Sequence, residues 1–497
     1  LRVLAELVRS DPAGAARLRQ TLEPRLLSQL GLEKPSPPPA PARAEHPRRR
    51  LLAALLAIGL LLVPAISLAV CGLGPSVDPD GTTLAWSTRF LRCFNAVFAL
   101  YALSLNGIYL LLLAFSAAGA SRQARYGALR RQTLLFKEGI LPSMSIISPA
   151  YNEEASIVES VSALLTLRYP DYEVIVVNDG SKDGTLQRLI EHFGLERTDV
   201  FIHRYLNTAE IRGVYASGKY SELLVIDKAN GGKADSLNAG LNVARKEYFA
   251  GIDADSLLEH DALLRLASLF LHHEEEVVAA GGNIFPVNGC TVSRGALVET
   301  RIPRRPLARF QTVEYLRAFM AGRIGWSAVK SLLIISGAFG VFHRRRVIDA
   351  HGYLTRSEHY ARDTVGEDME LVVRLTRGLL ESRTPFAVEY GHDANCWTEI
   401  PETFKVLSRQ RDRWQRGRLD IVAFHFRMIF SPRYGRTGLI GFPYFLIYEV
   451  LGPWFEAEGL LVLVVSLILG AIPLPLFLVI FTATILLGLL VSIVSML

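Results

Sequence analysis

The sequence predicts an α/β domain, a mostly parallel sheet with flanking helices, inserted between transmembrane and interfacial helices. Three observations carry that expectation. Half of the 497 residues are apolar, and they gather in runs near both ends, the mark of membrane spans joined to a water-facing domain. From Pro142 to about Trp397 the chain alternates short β-branched runs with segments of helical period. Four of those runs end in polar or acidic residues, as strands do where a parallel sheet binds ligands at its carboxyl edge.

Residues 1–34 place Leu4, Leu7, Leu18, Leu22 and Leu26 at mostly helical spacings around a break at Asp11-Pro12, which predicts a helical hairpin. Such a hairpin cannot bury its apolar face alone and fits the end of a helical repeat. The chain opens on Leu1 rather than Met and reads as a fragment. Residues 35–50 form a stiff proline-rich linker ending in Arg48-Arg49-Arg50. Residues 51–116 hold two spans, Leu51 to Val70 and Phe94 to Ser116, the second with Asn106 inside it. Arginines before the first span and after the second (Arg122, Arg125, Arg130, Arg131) put both flanks in the cytoplasm and the 72–90 loop outside. The net charge of +6 is therefore read as topology, and nucleic acid is not an expected partner.

Residues 117–141 are a cytoplasmic connector and 142–400 the globular domain, with strands expected at Met144–Ser148, Glu173–Asn178, Glu222–Asp227 and Tyr248–Asp253. In 401–437 the cluster Gln410-Arg411-Asp412-Arg413-Trp414 precedes an amphipathic run (Ile421, Phe424, Phe426, Ile429, Phe430) suited to a helix in the membrane interface. In 438–497, Leu439–Leu469 is interrupted by Glu449, Gly452-Pro453, Glu456 and Glu458, which predicts a re-entrant piece and then a true span; Pro473–Leu497 is the last span. The expectation is a multi-pass protein of the cell membrane, its globular domain cytoplasmic. Cys71, Cys93, Cys290 and Cys396 lack zinc-site spacing, and free thiols are favoured over a Cys71–Cys93 bridge.

Four clusters carry chemistry. Asp179 stands where a strand opens toward a helix and can accept from a base's ring N–H, although Asp-Gly is also an ordinary turn. Alternation along a strand would set Asp253 and Asp255 on one face, where two hard oxygens can hold Mg²⁺ or Mn²⁺ against a diphosphate. Gly231-Gly232-Lys233 adds a flexible backbone and a cation at a helix start. Glu367-Asp368 opens a helical segment, where a carboxylate can take a proton from an attacking hydroxyl or simply complement the helix dipole. Arg411, Arg413 and Trp414 suit a leaving pyrophosphate and a sugar ring, or an interfacial belt. Their order along the chain favours the chemical readings.

In that order the residues resemble processive family 2 glycosyltransferases, the group of hyaluronan, chitin, cellulose and poly-N-acetylglucosamine synthases, over about residues 90–497. Ser148-Pro149-Ala150-Tyr151-Asn152-Glu153 looks like the opening strand of the nucleotide site, which implies nucleotide contacts for Tyr151 and Glu153. Asp179 looks like the uracil-contacting acid, with Lys233 and Asp253 beside the diphosphate and Asp255, with Asp253, on the metal. Ser336-Gly337-Ala338-Phe339 resembles the acceptor-side loop, which implies acceptor contacts for Ser336, Gly337 and Glu367, and Asp368 matches the catalytic base. Gln410, Arg413 and Trp414 match the Gln-X-X-Arg-Trp signature, which implies UDP-diphosphate contacts for Gln410 and Arg413 and the acceptor sugar for Trp414. The stretch Asn230 to Gly240 is most similar to the poly-N-acetylglucosamine branch. Gly366 departs from the Thr usual before the Glu-Asp pair.

The resemblance implies a GT-A type nucleotide-sugar-binding domain and inverting transfer from a UDP-sugar, either UDP-N-acetylglucosamine or UDP-glucose, to a growing β-linked polysaccharide. It implies Mg²⁺ or Mn²⁺ as cofactor, the lipid bilayer as surroundings, and export through the spans with a partner or a second copy. Two rivals stand beside it: a non-processive transferase adding one sugar to a lipid carrier, and an inactive transferase-like membrane scaffold.

Overall fold

The computed structural model describes residues 45–73, 85–130, 141–293, 296–355 and 364–494. The expected hairpin of residues 1–34, most of the proline-rich linker, much of the outer loop and part of the connector lie outside them. The chain divides into Leu1–Arg50 and Leu51–Leu497. In the first unit the described residues, 45–50, are helical.

Among the described residues twelve strands are formed: β1 (Met144–Ala150), β2 (Tyr172–Asn178), β3 (Leu195–Thr198), β4 (Ile211–Ser217), β5 (Leu223–Lys228), β6 (Tyr248–Gly251), β7 (Leu257–Leu258), β8 (Val277–Pro286), β9 (Thr291–Ser293), β10 (Ala296–Glu299), β11 (Gly340–His343) and β12 (Ala387–Thr398). Ten make one sheet in the order β3-β4-β5-β2-β1-β6-β11-β8-β12-β7, and β9 pairs with β10 apart from it. The central strands β5, β2, β1 and β6 are parallel. Val174 to Val177 in β2 are fully buried, which is why this region reads as continuous apolar runs. Antiparallel pairs flank the centre on both sides, β3-β4-β5 on one and β6-β11-β8 on the other. The sheet is therefore mixed, with a parallel centre and a second parallel pair, β8 with β12, toward one edge.

The helices that bear on function are α1 (Glu45–Leu73), α2 (Trp86–Arg130), α3 (Lys233–Val243), α4 (Pro306–Leu316), α5 (Glu367–Glu381), α6 (Phe404–His425) and α7 (Gly452–Ile468). Gly232, at φ 87°, turns the chain into α3 in a conformation other residues resist. Further along α3, Gly240 lets the helix lie against β1, since a Cβ there would stand 2.4 Å from Ile147 Cγ2. The signature cluster expected ahead of an interfacial helix instead lies inside α6, which starts six residues before Gln410.

Among the described residues two helices are long and apolar enough to cross a membrane, Trp86–Ser121 within α2 and Leu474–Val494. Thr437–Val450 and Gly452–Ile468 meet at 48°, so the interrupted run forms a bent pair, broken where Gly452-Pro453 predicted. Ala57–Gly72 of α1 is a shorter apolar helix. Polar groups join these helices: Asn95 Nδ2 donates to Ser466 Oγ at 2.7 Å, and Asn106 Nδ2 to Ala483 O at 3.4 Å. Gln123 joins α2 to the sheet, its Nε2 donating to Tyr390 O (2.8 Å) and its Oε1 accepting from His392 N (3.3 Å). All four cysteines are free thiols.

Candidate active site

A cavity of about 890 Å³ opens at the carboxyl ends of the central strands and continues between the apolar helices, where it reaches Tyr109, Arg317, Tyr448, Glu449 and Glu456. Topology explains the convergence. Strands β1, β2, β5 and β6 are parallel, so Tyr151 and Glu153, Asp179, Lys233, and Asp253 and Asp255 follow strand ends on one edge. Because β11 runs antiparallel to β6, with Gly340 opposite Gly251, its amino end delivers Ser336 and Gly337 to that same edge. Helix α5 brings Glu367 and Asp368 in its first turn. Helix α6 supplies Gln410, Arg413 and Trp414, whose i, i+3, i+4 spacing puts them on one face. Every site residue expected from the sequence lines this cavity.

Asp179 is almost fully buried and its carboxylate is fully engaged. Oδ1 accepts from Lys228 Nζ (2.5 Å) and Gly231 N (2.9 Å), while Oδ2 accepts from Gly232 N (2.8 Å) and Asn230 Nδ2 (3.2 Å). Its first effect is thus to shape the Gly231-Gly232 turn; contact with a base requires one of these bonds to be exchanged. Lys228 has no solvent exposure and also lies 2.7 Å from Asp235 Oδ1. Sequence reading missed it, although a lysine closing an apolar strand is a visible oddity.

Asp253 and Asp255 do not alternate on a strand, because β6 stops at Gly251 and Ser256 N turns back to donate to Asp253 O at 3.0 Å. They reach the cavity from that turn instead. Lys233 Nζ pairs with Asp253, lies 3.9 Å from Glu367 Oε1 and donates to Gly337 O at 3.4 Å. Burial alone would lower the Lys233 ammonium, but Asp253 and Glu367 outweigh it and hold it above its ordinary range. Burial, then Asp253 and Glu153, push the Asp255 carboxyl up to about 6. Glu367 is likewise raised, by burial first and then by Asp368 against the opposing Lys233. Among the described residues no three His, Cys, Asp or Glu side chains converge as a metal cage. Two hard carboxylates on the cavity wall, one of them raised by burial and by its acidic neighbours, nonetheless fit a divalent ion that takes its other ligands from a diphosphate.

Asp368 Oδ2 accepts from Gly337 N (3.1 Å) and Oδ1 from Met369 N (2.7 Å), so the Ser336-Gly337 loop and the helix start orient this carboxylate together. Glu153 Oε2 accepts from Ser156 Oγ (2.9 Å), and Ser336 Oγ from Ala338 N (3.4 Å). Tyr151 is exposed at the rim. Gln410 Oε1 is buried with no hydrogen-bond donor, an acceptor suited to a sugar hydroxyl. Arg413 is exposed to the cavity. Arg411, expected beside the diphosphate, is instead held by Glu314 of α4 through two bonds of 2.7 and 2.5 Å, with its guanidinium 4.6 Å from the Trp414 ring centroid. Asp412 only pairs with Arg416 at the surface, 3.0 Å away.

Residues 248–496 match the glycosyl transferase family group 2, and residues 145–204 match glycosyl transferase family 2. The chain belongs to glycosyl transferase family group 2. This family 2 chain is 26% identical over 308 residues to a poly-beta-1,6-N-acetyl-D-glucosamine synthase of Staphylococcus aureus, an alignment covering 62% of this chain and 61% of that protein. It is 27% identical over 284 residues to the synthase of the same name from Staphylococcus epidermidis, covering 57% and 56%. The chain thus spans about three-fifths of the length of the curated relatives it matches. Among solved structures, it is similar to the mannosyltransferase PcManGT from Pyrobaculum calidifontis in complex with GDP-Man and Mn²⁺ (18% identity, 78% of this chain and 98% of that one, TM-score 0.45). It is also similar to S. aureus TarS 1–349 in complex with UDP (17% identity, 59% and 71%, TM-score 0.33).

Proposed function

We propose that the chain transfers N-acetylglucosamine from UDP-N-acetylglucosamine to a hydroxyl at the end of a growing β-linked polysaccharide. The observation that carries this reading is the shared cavity: Asp368 stands in it with Asp253, Asp255, Lys233, Arg413 and Trp414, and the same cavity runs on between the apolar helices. Similarity to poly-beta-1,6-N-acetyl-D-glucosamine synthases supports the choice of sugar over glucose.

In this reading the acceptor hydroxyl attacks the anomeric carbon, Asp368 takes its proton, and the bond from that carbon to the diphosphate oxygen breaks, inverting the centre and releasing UDP. A positioned base of this kind contributes roughly 10²- to 10⁴-fold. Asp255 and Asp253 would hold Mg²⁺ or Mn²⁺, which supplies positive charge to the leaving diphosphate. Arg413 and Lys233 add cationic donors as charge develops there. For Lys233 this means giving up its pairing with Asp253. Trp414 offers a face for the acceptor ring, and Gln410 Oε1 accepts from a substrate hydroxyl. The apolar helices then embed the protein in the cell membrane, with the sheet domain in the cytoplasm and the cavity's inner end as the exit path.

The test uses membranes carrying the protein, offered UDP-N-acetylglucosamine or UDP-glucose with Mg²⁺ or Mn²⁺, with released UDP and product mass measured. The expected result is polymer from UDP-N-acetylglucosamine and at least about a 100-fold loss of UDP release in Asp368→Asn. Wild-type turnover by Asp368→Asn would overturn the reading, and a product carrying one added sugar would replace it with single transfer to a lipid carrier.

A further inference from the structure

The residue before Glu367-Asp368 is Gly366, and it lies backbone to backbone against α6. A Cβ added to Gly366 would stand 3.1 Å from Gly417 Cα, and one added to Gly417 would stand 3.0 Å from Gly366 Cα. Both distances are tighter than ordinary carbon contacts, so neither position takes a side chain unless the helices move apart. A hydroxyl is present all the same, two residues upstream. Thr364 Oγ1 accepts from Gly366 N (3.2 Å) and donates to Asp420 Oδ2 (3.1 Å), a buried carboxylate on α6. Gly417 lies three residues after Trp414 and Asp420 six after it.

We infer that Gly366, Gly417 and the Thr364–Asp420 hydrogen bond form a positioning junction that fixes the Asp368 carboxylate relative to Arg413 and Trp414. The inference rests on the proposed role of Asp368 as base. The pair of glycines brings the two helices into contact at the point where α5 begins, so the reacting carboxylate and the acceptor-stacking indole ride on a common support. The Thr364 hydroxyl then closes the start of α5 onto α6 without occupying the contact itself. A threonine at 366 would put a branched side chain into the Gly417 backbone, so in this chain the hydroxyl can serve only from position 364. None of the four residues touches the reacting atoms; each acts through Asp368 or Trp414.

The test compares wild type, Thr364→Val, Thr364→Ser, Gly417→Ala and Asp368→Asn in membranes. The readouts are kcat and KM for UDP-N-acetylglucosamine, the Kd of UDP with Mg²⁺, and thermal unfolding after detergent extraction. Thr364→Val and Gly417→Ala are expected to lower kcat about 10-fold or more, since small misplacements of reacting groups are costly. UDP affinity should stay within about twofold, and Thr364→Ser should recover most of the rate by keeping the hydroxyl. Wild-type kcat in Thr364→Val, or UDP binding lost in step with the rate, would overturn the junction. The valine and serine variants decide the matter even if Gly417→Ala does not fold. A wild-type enzyme that Asp368→Asn fails to slow removes the base reading, and the junction with it.

Discussion

At the scale of single residues, Lys228 is the most consequential side chain outside the expected set. Its ammonium, with no solvent exposure, is shared by Asp179 and Asp235, and Asp235 in turn accepts from Ala209 N (3.0 Å). Removing one member of a buried charge cluster leaves the others uncompensated. Lys228→Met is therefore expected to destabilise the protein by about 3–5 kcal/mol, read as a lowered Tm in detergent. An unchanged Tm would mean that water reaches the two carboxylates. Asp179 was legible from its place after a strand, but its saturation by four donors was not, because the partners Lys228, Asn230, Gly231 and Gly232 come from another strand's end. Arg411 is the converse case: its charge was visible in the sequence, while its commitment to Glu314 depends on the approach of α4, 97 positions away.

At the scale of elements, the far end of α5 is fastened by Glu381. Its carboxylate accepts from Tyr434 Oη (2.7 Å) and Arg377 Nε (3.0 Å), and the Tyr434 bond, then Arg377, holds it below its ordinary value of 4.5. A lowered carboxyl is ionised in the fold where the unfolded chain would be protonated. Its contribution is complete above the unfolded value and is lost as pH falls through the folded one. Wild type should then lose more Tm than Glu381→Gln between pH 6 and about pH 3.5, and equal losses would rule the contact out as a stabiliser. The parallel centre of the sheet was legible because strands buried on both faces announce themselves as apolar runs. Strands β4, β8, β11 and β12 were not, since β11 has only four residues and β12 mixes Glu389, His392 and Asp393 into its length. Their pairing is decided by long-range register that a local period does not encode. The Asp253–Asp255 spacing placed both carboxylates on one cavity wall, but by the wrong geometry, a strand where the chain makes a turn.

At the scale of the whole molecule, one cavity joins the sheet edge to the helical region, and charged residues inside apolar runs marked its inner end. Glu449 and Glu456 stood out in the sequence as interruptions, whereas their neighbours Arg317, Arg418 and Tyr448 did not. Arg418 Nη2 lies 3.1 Å from Glu449 Oε2 and Nη1 donates to Glu449 O at 3.3 Å, binding α6 to the bent helix pair. If the inner end guides the product, Arg418→Ala should shorten the polymer on a gel while leaving the Kd of UDP within about twofold, because the donor-side residues other than Arg413 belong to the sheet edge. Polymer of wild-type length would deny this end a part in elongation.

Gln123 engages the β12 backbone through both ends of one amide, accepting from His392 N and donating to Tyr390 O. Apolar packing tolerates rotation of a helix about its own axis; a two-ended amide does not, because turning α2 by one residue, about 100°, carries the side chain off the strand. An apolar helix of equal length substituted for α2 would still suit the bundle, yet its azimuth would be unset. Which side of α2 faces Arg317 and Glu449 is thus set in part by a group at the sheet, well outside the lining that it orients, alongside the links of Asn95 and Ser104 within the helices.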